Sequence, residues 1–333
     1  MVSESWCTNL RTFSMFLVVA LHASGIWLFG NIESFNWSFA NVVNSVGRPA
    51  VPFFFMISGY LLCGSKQLPF KVFFKKRFNR IFPSFAFVTA FALLYRYVNG
   101  EEFAFRVLWD WVYNPQYYHL GFLYALCMVY LGIWLVRPSS DSINPLAGAI
   151  GCLCFILIVG GGIAQHERGE ALRMETYAGY LFYAFAGYFL GKIPRSWSAV
   201  IASAALGFMS LAFIVIQTYS LSLQTGSLNQ FWYGYMSMPV ILGSFFLFYA
   251  SRHIFDLWAP SKFVLILSNA SLFVYCFHPF IIDVFLRNVK SGVLLENALL
   301  GMAAIVIFCV GVLTFIYTAW NAASRRLTAS DVV

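Results

Sequence analysis

The sequence predicts an all-α integral membrane protein with about ten transmembrane helices, both termini in the cytoplasm and no soluble domain. Of its 333 residues, 60% are hydrophobic and only 10% are charged, whereas an average soluble domain carries about 25% charged residues. The apolar residues form runs of about 20, the length that crosses a bilayer as a helix, and the mean hydropathy is +0.74. These observations exclude soluble enzymes, nucleic-acid-binding modules and disordered linkers.

Ten apolar segments follow one another along the chain, which we treat as a single polytopic domain over residues 1–333. Ten helices of about 20 residues use roughly 200 residues, so only short connections are left. The predicted helices cover 10–29, 49–64, 81–98, 119–136, 146–163, 177–191, 198–218, 234–250, 263–285 and 297–319.

The distribution of basic residues sets the predicted orientation. With the N-terminus in the cytoplasm, 14 of the 21 Lys and Arg residues fall on the inner side, six of them in the first inner loop, 65–80. Cytoplasmic loops carry such an excess of Lys and Arg. The other seven, Arg48 among them, are assigned to the outer side. Membrane topology therefore accounts for the net charge of +8 without a nucleic-acid partner.

The first predicted helix contains two residues that a membrane helix rarely carries, Arg11 and His22. Eleven residues make three helical turns plus about 20°, so both side chains project from one face, about 16 Å apart along the axis. Arg11 then lies at the cytoplasmic end and His22 beyond the middle of the membrane. A positively charged anchor at Arg11 and an interhelical hydrogen bond at His22 are the plain alternative, and the sequence leaves both open.

The first inner loop contains the basic run Lys75-Lys76-Arg77-Phe78-Asn79-Arg80. If this run is helical, Arg77 and Arg80 lie one turn apart and can bind a polyanionic group together. An ordinary cytoplasmic basic run is the alternative. The flanking pairs Phe73-Phe74 and Ile81-Phe82 favour a position at the membrane face.

Two further histidines lie in or beside predicted helices. His119 opens the fourth segment, and His278 precedes Pro279 within the ninth. A proline inside a helix frees a backbone carbonyl one turn earlier, which polar side chains can satisfy, so a structural role is favoured for His278. No two histidines have the spacing of metal ligands, and we expect no metal site.

Five motifs in order resemble the acyltransferase 3 family of membrane acyltransferases, and the resemblance extends from residue 8 to about residue 319. They are Arg11-x10-His22, the stretch from Val51 to Tyr60 (VPFFFMISGY), Arg77-x-x-Arg80, the stretch from His119 to Leu123 (HLGFL), and Tyr275-x-x-His278-Pro279.

The resemblance implies an O-acyltransferase that takes an acyl group, often acetyl from cytoplasmic acetyl-CoA, and places it on a hydroxyl of an extracytoplasmic glycan. Short members of the family resemble O-acetyltransferases of O-antigen, the polysaccharide of lipopolysaccharide, or of enterobacterial common antigen. We therefore expect a multi-pass protein of the bacterial inner membrane. Its partners would be an acyl-CoA donor, a lipid-linked or surface polysaccharide acceptor and membrane lipid. The additional extracytoplasmic domain of longer relatives is expected to be absent.

The same chemistry gives each candidate residue a role. Arg77 and Arg80, assisted by Lys75 and Lys76, would bind the phosphates of acetyl-CoA. The pantetheine arm would run along the face of Arg11, and His22 would be the general base that takes the proton of the sugar hydroxyl.

Two roles stay open at this stage. His119 would stabilise the oxyanion or position the acceptor. A carboxylate, either Asp283 or Glu175, would orient His22. Direct transfer is favoured over an acyl-enzyme intermediate.

Two other functions compete with this interpretation. Sparse intramembrane charges and proline-broken helices also suit a secondary transporter or a flippase for a glycan precursor. However, the hydropathy gives no sign of two matching halves, and the basic and polar positions align along a single helix. A purely structural partner of a glycosyltransferase is the third possibility, and it would tolerate alanine at Arg11, His22, Arg77 and Arg80.

Overall fold

The structure is a computed structural model that describes residues 5–63, 69–101, 117–136, 173–288 and 292–330. Every regular element within these ranges is a helix. They are α1 (Ser5–Leu28), α2 (Phe35–Gly47), α3 (Ala50–Cys63), α4 (Phe70–Val98), α5 (Gly121–Val136), α6 (Arg173–Lys192), α7 (Trp197–Thr225), α8 (Met238–Phe255), α9 (Lys262–Asn288), α10 (Val293–Glu296) and α11 (Ala298–Ser330), with short 3-10 turns at Tyr118–Leu120 and Phe231–Tyr233.

Seven stretches within the described ranges are long and apolar enough to cross a membrane. They are α1, the nearly continuous pair α2–α3 over Phe35–Cys63, α4, α7, the stretch Phe231–Phe255 around α8, α9 and most of α11. The shorter α5 is also apolar. The chain is therefore an all-α, multi-pass membrane protein, as its composition predicts.

Nine of the ten predicted segments coincide with helices, with shifts at their ends. The fifth, 146–163, lies outside the described residues. The total of ten spans and the cytoplasmic placement of both termini stay predictions.

One difference from the sequence prediction concerns the first inner loop, because α4 begins at Phe70 rather than near residue 81. The aromatic residues of the basic stretch hold its first turns in place. Phe73 is fully buried, and the ring of Phe70 lies 4.3 Å from that of Phe74 and 4.7 Å from that of Trp134. Lys75 and Lys76 stay exposed. A hydropathy pattern averages over such a stretch and misses its buried aromatic face.

The second difference concerns residues 30–48, which were expected to be an outer loop. They contain α2, and its asparagine side chains bind other helices. The amide of Asn36 donates to the carbonyl of Glu296 (2.7 Å), that of Asn41 to Val215 (3.0 Å) and that of Asn44 to Leu21 (3.1 Å). Arg48 lies near the middle of the stretch Phe35–Cys63, and its assignment to the outer side stays a prediction.

The chain divides into two compact units, residues 1–57 with 189–333, and residues 58–188. In the first unit α1 is central. It packs against α2, α8, α9 and α11, and fourteen of its 24 residues are buried. A helix that is apolar on most sides belongs inside a bundle, and the position of α1 places its polar residues in the interior.

The second unit contains α4 and α5 and the adjoining parts of α3 and α6. The small residue Gly59 lets α3 and α6 approach closely, because a Cβ atom there would lie 1.8 Å from the carbonyl oxygen of Ala184. The Ser58-Gly59-Tyr60 sequence predicts this close helix packing.

Candidate active site

Helix α9 contacts both polar residues of α1. The Nη1 atom of Arg11 lies 3.5 Å from the hydroxyl oxygen of Ser268, and the ring of His22 lies 5.1 Å, centroid to centroid, from that of His278. Since Arg11 and His22 both meet residues of α9 in the same chain direction, the two helices run parallel. The prediction that Arg11 and His22 share a face is confirmed.

The histidine opposite His22 is fixed by the proline beside it. Pro279 has no N–H to donate to the carbonyl of Tyr275, four residues earlier in α9. The Nδ1 atom of His278 lies 2.9 Å from that carbonyl oxygen and 3.0 Å from the carbonyl oxygen of Val274. A carbonyl can only accept, so Nδ1 carries the proton and Nε2 of the neutral ring carries the lone pair. Hydrogen bonding therefore sets both the tautomer and the orientation of His278.

The two histidines differ in their access to a substrate. The side chain of His278 is completely buried, whereas His22 is only half-buried. His22 is therefore the member that can accept a proton from outside, and His278 is its fixed neighbour.

The two carboxylates proposed to orient His22 lie on α9 and α6. Asp283 forms an ion pair with Arg287, one turn further along α9, at 3.0 Å. Glu175 lies on α6, and its side chain is outside the described residues. His278 is a neighbour of His22 in the structure, and the sequence indicated only a structural role for it. The sequence signal for this residue was the pair His278-Pro279. It could not predict the contact with His22, because the two histidines are 256 positions apart in the sequence.

The predicted donor-binding residues lie on α4 in the second unit. Because this stretch is helical, Arg77 and Arg80 are one turn apart on it. The guanidinium carbon of Arg77 lies 5.6 Å from the centre of the Phe73 ring, which fixes it against the aromatic face of the helix. Lys75 and Lys76 are exposed, and the side chain of Arg80 is outside the described residues.

His119 also belongs to the second unit. It lies in the 3-10 turn Tyr118–Leu120 before α5, where it is 4% exposed. Its ring is 5.6 Å from that of Tyr117, in an edge-to-face arrangement. Arg11 and His22 thus lie along one helix interface of the first unit. His119, Arg77 and Arg80 belong to the second unit.

Metal ligands do not cluster in the described ranges. Within them, no group of three or more His, Cys, Asp and Glu side chains could hold a metal ion.

A family model described as an acyltransferase domain, that of the acyltransferase 3 family, matches residues 4–321. No curated protein matches the chain, and no solved structure does.

The hydrogen bonds of His278 predict a coupling between His278 and Pro279. Replacing His278 by Phe removes the donor to the Tyr275 carbonyl, and an unsatisfied buried acceptor costs about 1–3 kcal/mol. Replacing Pro279 by Ala restores a backbone N–H at that carbonyl. We therefore expect His278→Phe to lower the free energy of unfolding more in the Pro279 background than in the Pro279→Ala background. Thermal unfolding of the four proteins in detergent measures this, and equal losses in both backgrounds would contradict the assignment.

Proposed function

Because the chain belongs to the acyltransferase 3 family, we propose that it is a membrane O-acyltransferase. The acyl group proposed is acetyl, taken from cytoplasmic acetyl-CoA. The acceptor is a sugar hydroxyl of a bacterial surface polysaccharide, either O-antigen or a related lipid-linked glycan, and the membrane is the bacterial inner membrane. The observation that carries the proposal is the half-buried His22 beside the fixed, buried ring of His278.

In the proposed reaction His22 is the general base. It takes the proton of the sugar hydroxyl as the oxygen attacks the carbonyl carbon of the thioester. The new C–O bond forms, the C–S bond breaks, and the coenzyme A thiolate receives the proton from His22. No metal takes part in this direct transfer. His278 supports the step by fixing the orientation of the His22 ring.

Arg11 supports the delivery of the acyl group on the same face of α1. The separation of eleven positions between Arg11 and His22 corresponds to about 16 Å along the helix axis, a distance comparable with the length of the pantetheine arm. Arg11 would line the path of the arm or bind a phosphate. Its Nη1 atom lies 3.5 Å from the hydroxyl oxygen of Ser268 on α9.

The phosphates of acetyl-CoA are proposed to bind at Arg77 and Arg80, with Lys75 and Lys76 adding positive charge. The helical spacing of the two arginines supports this, because guanidinium groups one turn apart can bind neighbouring phosphate oxygens. His119 is proposed to stabilise the oxyanion or to position the acceptor, since a buried imidazole offers a fixed donor.

Replacing His22 by Ala should abolish acyl transfer without removing the protein from the membrane. Loss of a general base costs about 10²–10⁴-fold in rate. We would express wild type and variant in a host that lacks the gene, and measure acetyl on the surface polysaccharide by mass spectrometry.

The matched control for this experiment is His253→Gln, a histidine on α8 whose ring packs against Tyr249. Acetylation that depends on the protein but persists in His22→Ala would remove His22 as the base. No acetyl on any surface glycan, even with the wild type, would favour the transporter instead.

Replacing both Arg77 and Arg80 by Ala should raise the KM for acetyl-CoA and leave the KM for the glycan nearly unchanged. Each charge-assisted hydrogen bond contributes about 1.5–3 kcal/mol, so the increase should exceed tenfold. Initial rates with radiolabelled acetyl-CoA in membrane vesicles measure both constants. Lys262→Ala, which removes an exposed cation at the start of α9, is the control. An unchanged KM for acetyl-CoA would place the donor elsewhere.

A further inference from the structure

Two arginines that the proposed mechanism does not use belong to the end of the first unit at which α1 begins. Arg252 is in the last turn of α8, and Arg195 is in the loop between α6 and α7. Asn9 of α1 identifies this end, because its amide donates to the carbonyls of Phe255 (3.1 Å) and Trp258 (2.9 Å) where α8 ends. The sequence predicts that this end faces the cytoplasm.

Hydrogen bonds fix the loop between α6 and α7 against α8. The Nη1 atom of Arg252 donates to the carbonyl oxygen of Ile193 at 2.6 Å. The hydroxyl of Tyr249, about one turn earlier in α8, donates to the carbonyl oxygen of Pro194 at 3.1 Å. These two carbonyls immediately precede Arg195 in the chain. The loop therefore carries Arg195 to the last turn of α8, beside Arg252.

The groups that hold the two guanidinium ions are uncharged. Within the described ranges, neither Arg195 nor Arg252 forms an ion pair, and Asp256, one turn after Arg252, is exposed and pairs with neither. The Nη1 atom of Arg252 also lies 3.4 Å from Nε2 of His253, and its guanidinium carbon lies 6.0 Å from the ring centre of Trp6. A guanidinium can only donate, so the imidazole offers it a lone pair. Both positive charges are thus available to an anion.

The side chains around the two arginines are typical of a membrane interface. The guanidinium carbon of Arg195 lies 5.2 Å from the ring centre of Trp197, the first residue of α7. Trp197, Ile193 and Trp258 are all exposed. Exposed tryptophans at the ends of membrane helices lie at the level of the lipid headgroups. Arg195 and its neighbour Arg252 are therefore at headgroup depth.

An exposed apolar face of α7 continues from the arginines along the helix. Trp197, Ile201 and Phe208 are exposed and lie on one side of α7, because separations of four and seven residues return to the same face. Val200 lies on another side, where it is buried with Tyr249 of α8. A lipid acyl chain can thus lie along the exposed face while its phosphate contacts the guanidinium groups.

We propose that Arg195 and Arg252 bind the phosphate of an anionic phospholipid. The guanidinium fork matches phosphate oxygens, and basic pockets between membrane helices on the cytoplasmic side bind anionic headgroups. The exposed apolar face of α7 favours a lipid over a soluble phosphate ester. A headgroup held by both arginines also joins the loop before α7 to the end of α8. This site goes beyond the proposed function and does not rest on it.

The test titrates the full-length protein, delipidated in detergent, with phosphatidylglycerol and measures the Kd of the first bound lipid by native mass spectrometry. Phosphatidylcholine, which has a phosphate but no net charge, is titrated in parallel. The wild type should bind phosphatidylglycerol at least tenfold more tightly. Arg195→Met and Arg252→Met should each raise the Kd for phosphatidylglycerol about tenfold, the loss expected for one charge-assisted hydrogen bond, and leave that for phosphatidylcholine unchanged.

Lys262→Met is the matched control for charge. Lys262 is an exposed cation at the start of α9, at the same end of the first unit, and its loss should leave the Kd for phosphatidylglycerol nearly unchanged. Arg195→Met is the control for folding, because the side chain of Arg195 is exposed. If Arg252→Met unfolds through loss of its bond to the Ile193 carbonyl, Arg195→Met still decides.

Three results would overturn the assignment. The first is equal affinity of the wild type for the two lipids. The second is a Kd for phosphatidylglycerol that changes in neither arginine variant, or as much in Lys262→Met as in both. The third is displacement of phosphatidylglycerol by inorganic phosphate or coenzyme A, because the arginines would then bind a soluble phosphate. Acyl transfer does not enter this measurement, so its failure would leave the proposed function unaffected.

Discussion

The parallel packing of α1 against α9 is the interaction on which the candidate site depends. Without it, Arg11 and His22 would be two polar side chains exposed inside a membrane, where each costs several kcal/mol. In α9, the hydroxyl of Ser268 contacts Arg11, and the ring of His278 contacts the ring of His22. The proline that interrupts the hydrogen bonding of α9 is what fixes His278. One local defect thus holds His278 in a defined orientation beside His22.

The membrane imposes a second constraint, because every polar group within it needs a partner in the protein. The asparagines of α2 illustrate how the chain meets it, since Asn36, Asn41 and Asn44 each bind a backbone carbonyl of another element. These hydrogen bonds hold the helices together and have no role in the proposed reaction.

The sequence predicts most of the helices and half of the candidate site. Long apolar runs define nine segments, and a spacing of eleven residues is enough to place Arg11 and His22 on one face. The errors arise where the structure of a segment, or the neighbour of a residue, depends on contacts with residues that are distant in the sequence. The sequence predicts a connecting loop where α2 lies. The asparagines of α2 bind carbonyl groups that are 23 to 260 residues away in the sequence, and such contacts cannot be predicted from the local pattern. The pairing of His22 with His278 has the same origin, because spacing within one helix says nothing about the helix that packs against it.

The central claim is that His22 and His278 act as one unit in acyl transfer. A double-mutant cycle on kcat, with His22→Ala, His278→Asn and both together in nanodiscs, tests it most directly. Asn keeps a side-chain N–H for the Tyr275 carbonyl, so the fold is retained while the imidazole is removed. We predict that His278→Asn lowers kcat in the wild type and has no further effect once His22 is gone. Losses that multiply would contradict the claim, because the two histidines would then act independently.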